Sequence, residues 1–191
     1  MENIAKSECG RVHGPNWLKW IGHLKGKPNI VGMELGTFQG DSAQWFLDNI
    51  FTDPTSKYIC VDPFTGSIEH SIAGIDCTNN EAITREKLKQ YSNVVIHTEY
   101  SNQLLWGSNL QLDFVYVDAA HDAMNVLRDA VLSFEILRPG GVIVFDDYSW
   151  RVMPRDIDCP RIAIDVFATC YADHIEFLGK GSQYAIRKLN K

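Results

Sequence analysis

Ile30-Val31-Gly32-Met33-Glu34-Leu35-Gly36-Thr37-Phe38-Gln39-Gly40 decides the fold. The mainly apolar run over residues 30–35 predicts a buried strand. Gly36 and Gly40 predict a loop where the chain turns tightly and the next helix starts close to the strand. Ala43, Phe46, Leu47 and Ile50 then recur at helical spacing, so strand, loop and helix form one unit.

The same alternation continues along the chain. Residues 58–61 predict strand two, ending on Asp62. A helix over 79–91 has Asn79 or Asn80 as its N-cap, and strand three covers 94–96. Residues 114–117 predict strand four, ending on Asp118. Ala123, Val126, Leu127, Ala130, Val131, Phe134 and Leu137 then trace one helix face until Pro139-Gly140-Gly141 stops it. Strand five covers 142–145 and ends on Asp146-Asp147. Ile162, Ala163, Val166, Phe167 and Cys170 mark another helix, and 175–177 with 184–186 predict a closing hairpin. Upstream, Trp17, Trp20, Ile21 and Leu24 predict a short aromatic helix. Strands alternating with helices predict an α/β fold, a parallel sheet covered on both faces.

Composition bounds the function. The 191 residues fit one domain over 1–191, with 1–28 as an N-terminal helical extension. Eighteen Lys and Arg against 24 Asp and Glu give a net charge of −6, which disfavours a nucleic-acid partner. Five cysteines without a C-x-x-C pair suggest neither a disulfide framework nor a zinc site, so a reducing cytoplasm is the expected location. Neither a signal-peptide core nor a membrane-length apolar run occurs, so no membrane association is expected. Oligomeric state is left open, a homo-oligomer included.

Four strands end in acids: Glu34, Asp62, Asp118 and the pair Asp146-Asp147. Ligands of open parallel sheets bind beyond the carboxyl ends of the strands, so these carboxylates are expected to share one rim. For any one of them, capping the next helix is an equally good explanation. The first loop lacks the G-x-G-x-x-G pattern that seats a pyrophosphate, and Glu34 and Asp41 would repel one. The loop therefore suits a ligand without phosphate.

Glu34-Leu35-Gly36-Thr37-Phe38-Gln39-Gly40, Val117-Asp118-Ala119-Ala120-His121 and the run 137–148 ending in Phe145-Asp146-Asp147-Tyr148 together resemble class I S-adenosylmethionine-dependent methyltransferases. The order is similar to small O-methyltransferases of the catechol type and their bacterial and phage-borne relatives, methyltransferase family 24. The resemblance implies a doubly wound, Rossmann-like sheet of seven mostly parallel strands with a C-terminal antiparallel hairpin. It implies S-adenosyl-L-methionine as cofactor, against Glu34, Gly36, Thr37, Phe38, Gly40 and Ser42, with Asp62 and Pro63 at the ribose. Glu99, Tyr100 and Ser101 would lie toward the adenine, and Asp118 would also border the cofactor. A small-molecule hydroxyl is the implied methyl acceptor.

In the catechol-type relatives an acid after strand four and an Asp-Asn pair after strand five hold a divalent cation. Asp118, Asp146 and Asp147 stand at those places here, with Asp for Asn at the last. Three carboxylates without a thiolate suit Mg²⁺, with Ca²⁺ or Mn²⁺ as other hard cations. His121 stands where those relatives carry a lysine that takes the hydroxyl proton, which makes it the candidate base, next to Asp118. A helix N-terminal residue satisfied by water or by Asp118 is the competing explanation for His121. Trp45 follows a core period, whereas Trp17, Trp20, Trp106, Trp150 and Tyr148 are expected to rim a pocket. Arg151 and Arg155 are expected as ordinary surface residues. Three other functions stay open at this point: a metal-independent methyltransferase acting on nitrogen or carboxylate, a nonenzymatic S-adenosylmethionine-binding module and, least favoured, a nucleotide-dependent oxidoreductase.

Overall fold

A computed structural model describes residues 8–67, 70, 71, 74–151 and 153–190. Residues 1–7 of the expected N-terminal extension lie outside the described residues. Seven strands are hydrogen-bonded in the order β3-β2-β1-β4-β5-β7-β6. The chain divides into two compact units, Met1–Tyr100 and Ser101–Lys191.

In the first unit, α1 (Glu8–Ile21) precedes β1 (Val31–Leu35), α2 (Asp41–Asn49), β2 (Lys57–Val61), α3 (Asn80–Leu88) and β3 (Val94–His97). Both pairs, β1 with β2 and β2 with β3, are parallel. The core is aromatic. Trp17 has no exposed surface and meets the rings of Trp45 and Phe46 at 4.8 and 4.6 Å. Trp20 is buried too. Trp17 and Trp20 are therefore core residues and not a pocket wall: α1 begins well before the expected aromatic segment and packs its indoles inward. Gly32 is required by the same packing, since a Cβ there would lie 2.2 Å from Cζ of Phe51.

The second unit holds α4 (Ser101–Leu105), β4 (Leu112–Val117), α5 (Ala123–Ile136), β5 (Leu137–Phe145), α6 (Pro160–Cys170), β6 (Ile175–Lys180) and β7 (Tyr184–Lys188). β4 and β5 are parallel, while β7 runs antiparallel to β5 and to β6. Asp122 caps α5 by accepting from the Asn125 amide at 3.1 Å. At the other end of α5, Lys188 Nζ donates to the carbonyls of Phe134 and Leu137 at 2.7 and 2.8 Å. The final strand thus satisfies helix-end carbonyls that would otherwise lack partners. β5 starts directly at Leu137, so Pro139-Gly140-Gly141 lies inside the strand, next to a register shift between Leu112 and Phe114. Among the described residues no helix is long and apolar enough to cross a membrane, and all five cysteines are free thiols.

Candidate active site

The first unit supplies a shaped backbone loop. Gly36 and Gly40 adopt φ of 88° and 76°, the left-handed region that glycine enters without a Cβ penalty. Phe38 lies there as well, at φ 50°, which is costly for a side chain of that size. Its backbone is held on both sides. The Phe38 amide donates to Asp62 Oδ2 at 2.7 Å, and Thr84 Oγ1 on α3 donates to the Phe38 carbonyl at 2.8 Å. Asp62 Oδ1 also accepts from the Phe64 amide at 2.6 Å. Each carboxylate oxygen keeps a second acceptor site, so Asp62 can still receive donors from a ligand. The Phe38 ring stacks on His70, with centroids 5.0 Å apart and planes at 9°.

Glu34 turns inward. It is fully buried, and its Oε2 accepts from Ser42 Oγ at 3.0 Å and Tyr58 Oη at 3.2 Å. Thr37 is buried beside this group. Glu34 and Ser42 therefore brace the loop from below in this structure. Burial lifts the Glu34 carboxyl from 4.5 to about 7, against the hydrogen bonds of Ser42 and Tyr58, which lower it. A carboxyl whose folded value is raised contributes full stability below its unfolded value and loses it as pH rises. The wild type should thus lose roughly 3 kcal/mol from this group between pH 4.5 and 7. Glu34→Gln should remove that slope, so urea titrations should show the variant gaining on the wild type across this window. A stability difference that is the same at both ends would count against the buried carboxyl.

Other expected cofactor contacts divide. Pro63 follows Asp62 in the same turn and is half-buried, and Tyr100 is exposed. Glu99 Oε1 lies 3.1 Å from His97 Nδ1. In the second unit, Ser101 Oγ donates to the buried Asp129 at 2.7 Å.

The second unit gathers acids and an imidazole. Asp118 follows β4 and Asp147 follows β5, while His121 lies in the turn before α5. His121 Nε2 is 2.7 Å from Asp147 Oδ2 and 3.7 Å from Asp118 Oδ1. One ligand atom from each of Asp118, His121 and Asp147 lies within 4.8 Å of the others, a grouping able to hold a metal ion. Asp146, expected as the third carboxylate, lies outside that grouping: its Oδ2 accepts from Tyr116 Oη and its Oδ1 from the Asp147 amide at 2.9 Å. His121 takes its place in the group.

Burial opposes charge on the His121 ring, but the neighbouring carboxylates of Asp118 and Asp147 outweigh it and raise the ring to about 10. Asp118 is also pushed well above the usual carboxylate range, by burial first and then by the charge of Asp146. Trp150 covers the imidazole at 5.0 Å between ring centroids, a contact that favours the cationic ring. Tyr148, by contrast, is buried and donates to Asp165 at 2.9 Å, and Trp106 is 78% exposed. Arg155 forms two 2.7 Å contacts with Asp158, so it is spent on its own loop.

Sequence reasoning missed Thr84, His70 and Tyr116, which support the loop and Asp146. Only Tyr116 carried a hint, as a hydroxyl amid an otherwise apolar strand.

Comparison with known proteins gives these features a family. Residues 33–148 match the methyltransferase domain of family 24. An uncharacterized protein of Acanthamoeba polyphaga mimivirus is 26% identical over 155 residues, which cover 78% of this chain; the chain spans 66% of that relative's length, just under two thirds. Among solved structures, an O-methyltransferase from Bacillus cereus in complex with SAH has a TM-score of 0.59 at 17% identity, covering 83% of this chain and 74% of that one. The N-methyltransferase NodS from Bradyrhizobium japonicum, in complex with S-adenosyl-L-homocysteine, has a TM-score of 0.59 at 12% identity, covering 99% and 92%. At these identities the solved structures establish the fold, and the family match spans more than half of the chain. The chain belongs to the class I S-adenosylmethionine-dependent methyltransferases, of the family 24 type.

Proposed function

We propose that this methyltransferase transfers the methyl group of S-adenosylmethionine to a hydroxyl of a small molecule, with a divalent cation assisting. The observation that carries this reading is the grouping of Asp118, His121 and Asp147. An amine acceptor is nucleophilic once neutral, whereas a hydroxyl must lose its proton to attack a sulfonium methyl group, and acids and imidazole gathered together serve that need.

The first unit binds the cofactor. Gly36, Thr37, Phe38 and Gly40 present backbone to its methionine part, with Glu34 and Ser42 beneath them, and Asp62 accepts from the ribose hydroxyls next to Pro63. Tyr100 completes the proposed contacts of this unit. In the second unit Asp118 and Asp147 would hold the cation, supported by Asp146. Carboxylate ligands suit Mg²⁺, and Mn²⁺ as another hard cation. A cation bound there would lower the pKa of a coordinated hydroxyl. His121, neutral once another positive charge compensates Asp118 and Asp147, accepts the hydroxyl proton at Nε2. Trp150 keeps the ring in place.

A second reading rests on the imidazolium itself. With its ring charged, His121 already offsets the two carboxylates, so a metal-independent enzyme acting on nitrogen is the alternative. The test is methyl transfer from labelled S-adenosylmethionine to a panel of catechols, other hydroxyl compounds and amines, with and without a strong chelator. The proposal expects transfer to oxygen that the chelator abolishes. Transfer to amines that the chelator leaves untouched would replace it with the second reading.

A further inference from the structure

A buried polar chain in the second unit leads to the proposed catalytic group from the far end of the sequence. Gln183, just before β7, is 1% exposed and donates from Nε2 to Tyr116 Oη at 3.2 Å. Tyr116, fully buried on β4, donates to Asp146 Oδ2 at 2.5 Å. Asp146 Oδ1 accepts from the Asp147 amide. The direction of this chain is fixed by chemistry. An amide NH₂ only donates and a carboxylate only accepts, so the tyrosine hydroxyl must accept from Gln183 and donate to Asp146.

Asp147 is where the chain ends and where the backbone is strained. Its φ of 55° is in the left-handed region, which a non-glycine residue occupies only when its surroundings over-determine it. Those surroundings are visible. The Asp147 amide is bound by Asp146, its carbonyl accepts from the Trp150 amide at 2.9 Å, and its carboxylate lies 2.7 Å from His121 Nε2. Nothing about core volume requires the hydroxyl at 116, since Phe114 and Phe145 fill equally buried strand positions. Nor does stability alone explain Gln183, whose Oε1 is buried without a hydrogen bond.

We propose that Tyr116 and Gln183 are positioning residues that anchor Asp146, which in turn holds Asp147 in the turn that aims its carboxylate at His121. The step from this geometry to turnover rests on the proposed methyl transfer. Tyr116→Phe removes the donor to Asp146 and keeps the ring. Gln183→Met removes the donor to Tyr116 at similar length and is the second variant should the first fold poorly.

Three quantities are read on the full chain: turnover, S-adenosylhomocysteine affinity by calorimetry, and the His121 ring ¹⁵N shifts by NMR, assigned by loss of the signal in His121→Gln. Tyr116→Phe should move the His121 shifts and lower turnover roughly 10- to 100-fold, as small misplacements of catalytic groups do. Gln183→Met should do the same more weakly, with cofactor affinity held within about twofold. Unmoved His121 shifts in both variants overturn the proposal, and so does a loss confined to cofactor affinity. If the wild type transfers methyl to no acceptor while the shifts still move, the functional reading has failed and the positioning chain stands.

Discussion

Replacing Asp62 with alanine is expected to raise the dissociation constant for S-adenosylhomocysteine roughly 10- to 100-fold, because hydrogen bonds to a charged acceptor contribute about 1.5–3 kcal/mol each. Two effects add in this variant. The proposed acceptor for the ribose hydroxyls is lost, and so is the carboxylate that holds the amides of Phe38 and Phe64. Phe38 sits at positive φ, so once released its backbone has every reason to relax toward a commoner conformation and spoil the loop. Asp62→Asn separates the two effects, since its single carbonyl oxygen can satisfy only part of the same set; its affinity should fall between the wild type and alanine. Calorimetry measures both variants, with thermal unfolding to show that they are folded. Affinity unchanged in Asp62→Ala would remove this residue from the cofactor site.

Replacing His121 with alanine should lower turnover roughly 10²- to 10⁴-fold, the usual contribution of a positioned general base, with S-adenosylhomocysteine affinity changed by no more than about threefold. The expected split follows from where the residue lies. His121 contacts Asp118, Asp147 and Trp150, whereas the loop proposed to hold the cofactor is braced by Asp62, Thr84 and Glu34. Removing the ring also leaves Asp118 and Asp147 without their compensating charge, so His121→Gln is the better control for lost basicity with the space kept filled. A variant that turns over as fast as the wild type would leave His121 a structural partner of the two acids.

The fold was legible because its signals were local. Apolar runs followed by Asp62, Asp118 and Asp146 marked the ends of three strands, and the face through Val126, Ala130 and Phe134 marked α5. Pro139-Gly140-Gly141 misplaced the start of β5, since a proline at a strand edge or irregularity keeps the chain extended without donating to a ladder. The five-residue α4 is too short to show a helical period. Trp17 and Trp20 were indistinguishable from pocket-lining indoles because a buried indole and a ligand-facing one follow the same spacing.

The candidate site was legible in its parts and not in its arrangement. Asp118, His121, Asp146 and Asp147 all stood out as residue types that carry proton and cation chemistry. Which three would gather depended on the side-chain directions of adjacent residues. The hydroxyl of Tyr116 engages Asp146, while a left-handed backbone at Asp147 turns its own carboxylate to His121. Neither the Tyr116 hydrogen bond nor the sign of φ at a non-glycine residue has a sequence signature.

Titration of the full chain with S-adenosylhomocysteine in a calorimeter, with NAD in a parallel cell, tests the central claim most directly. One saturable site per chain for S-adenosylhomocysteine and none for NAD is the predicted result. Tight binding of NAD with no heat from S-adenosylhomocysteine would contradict it.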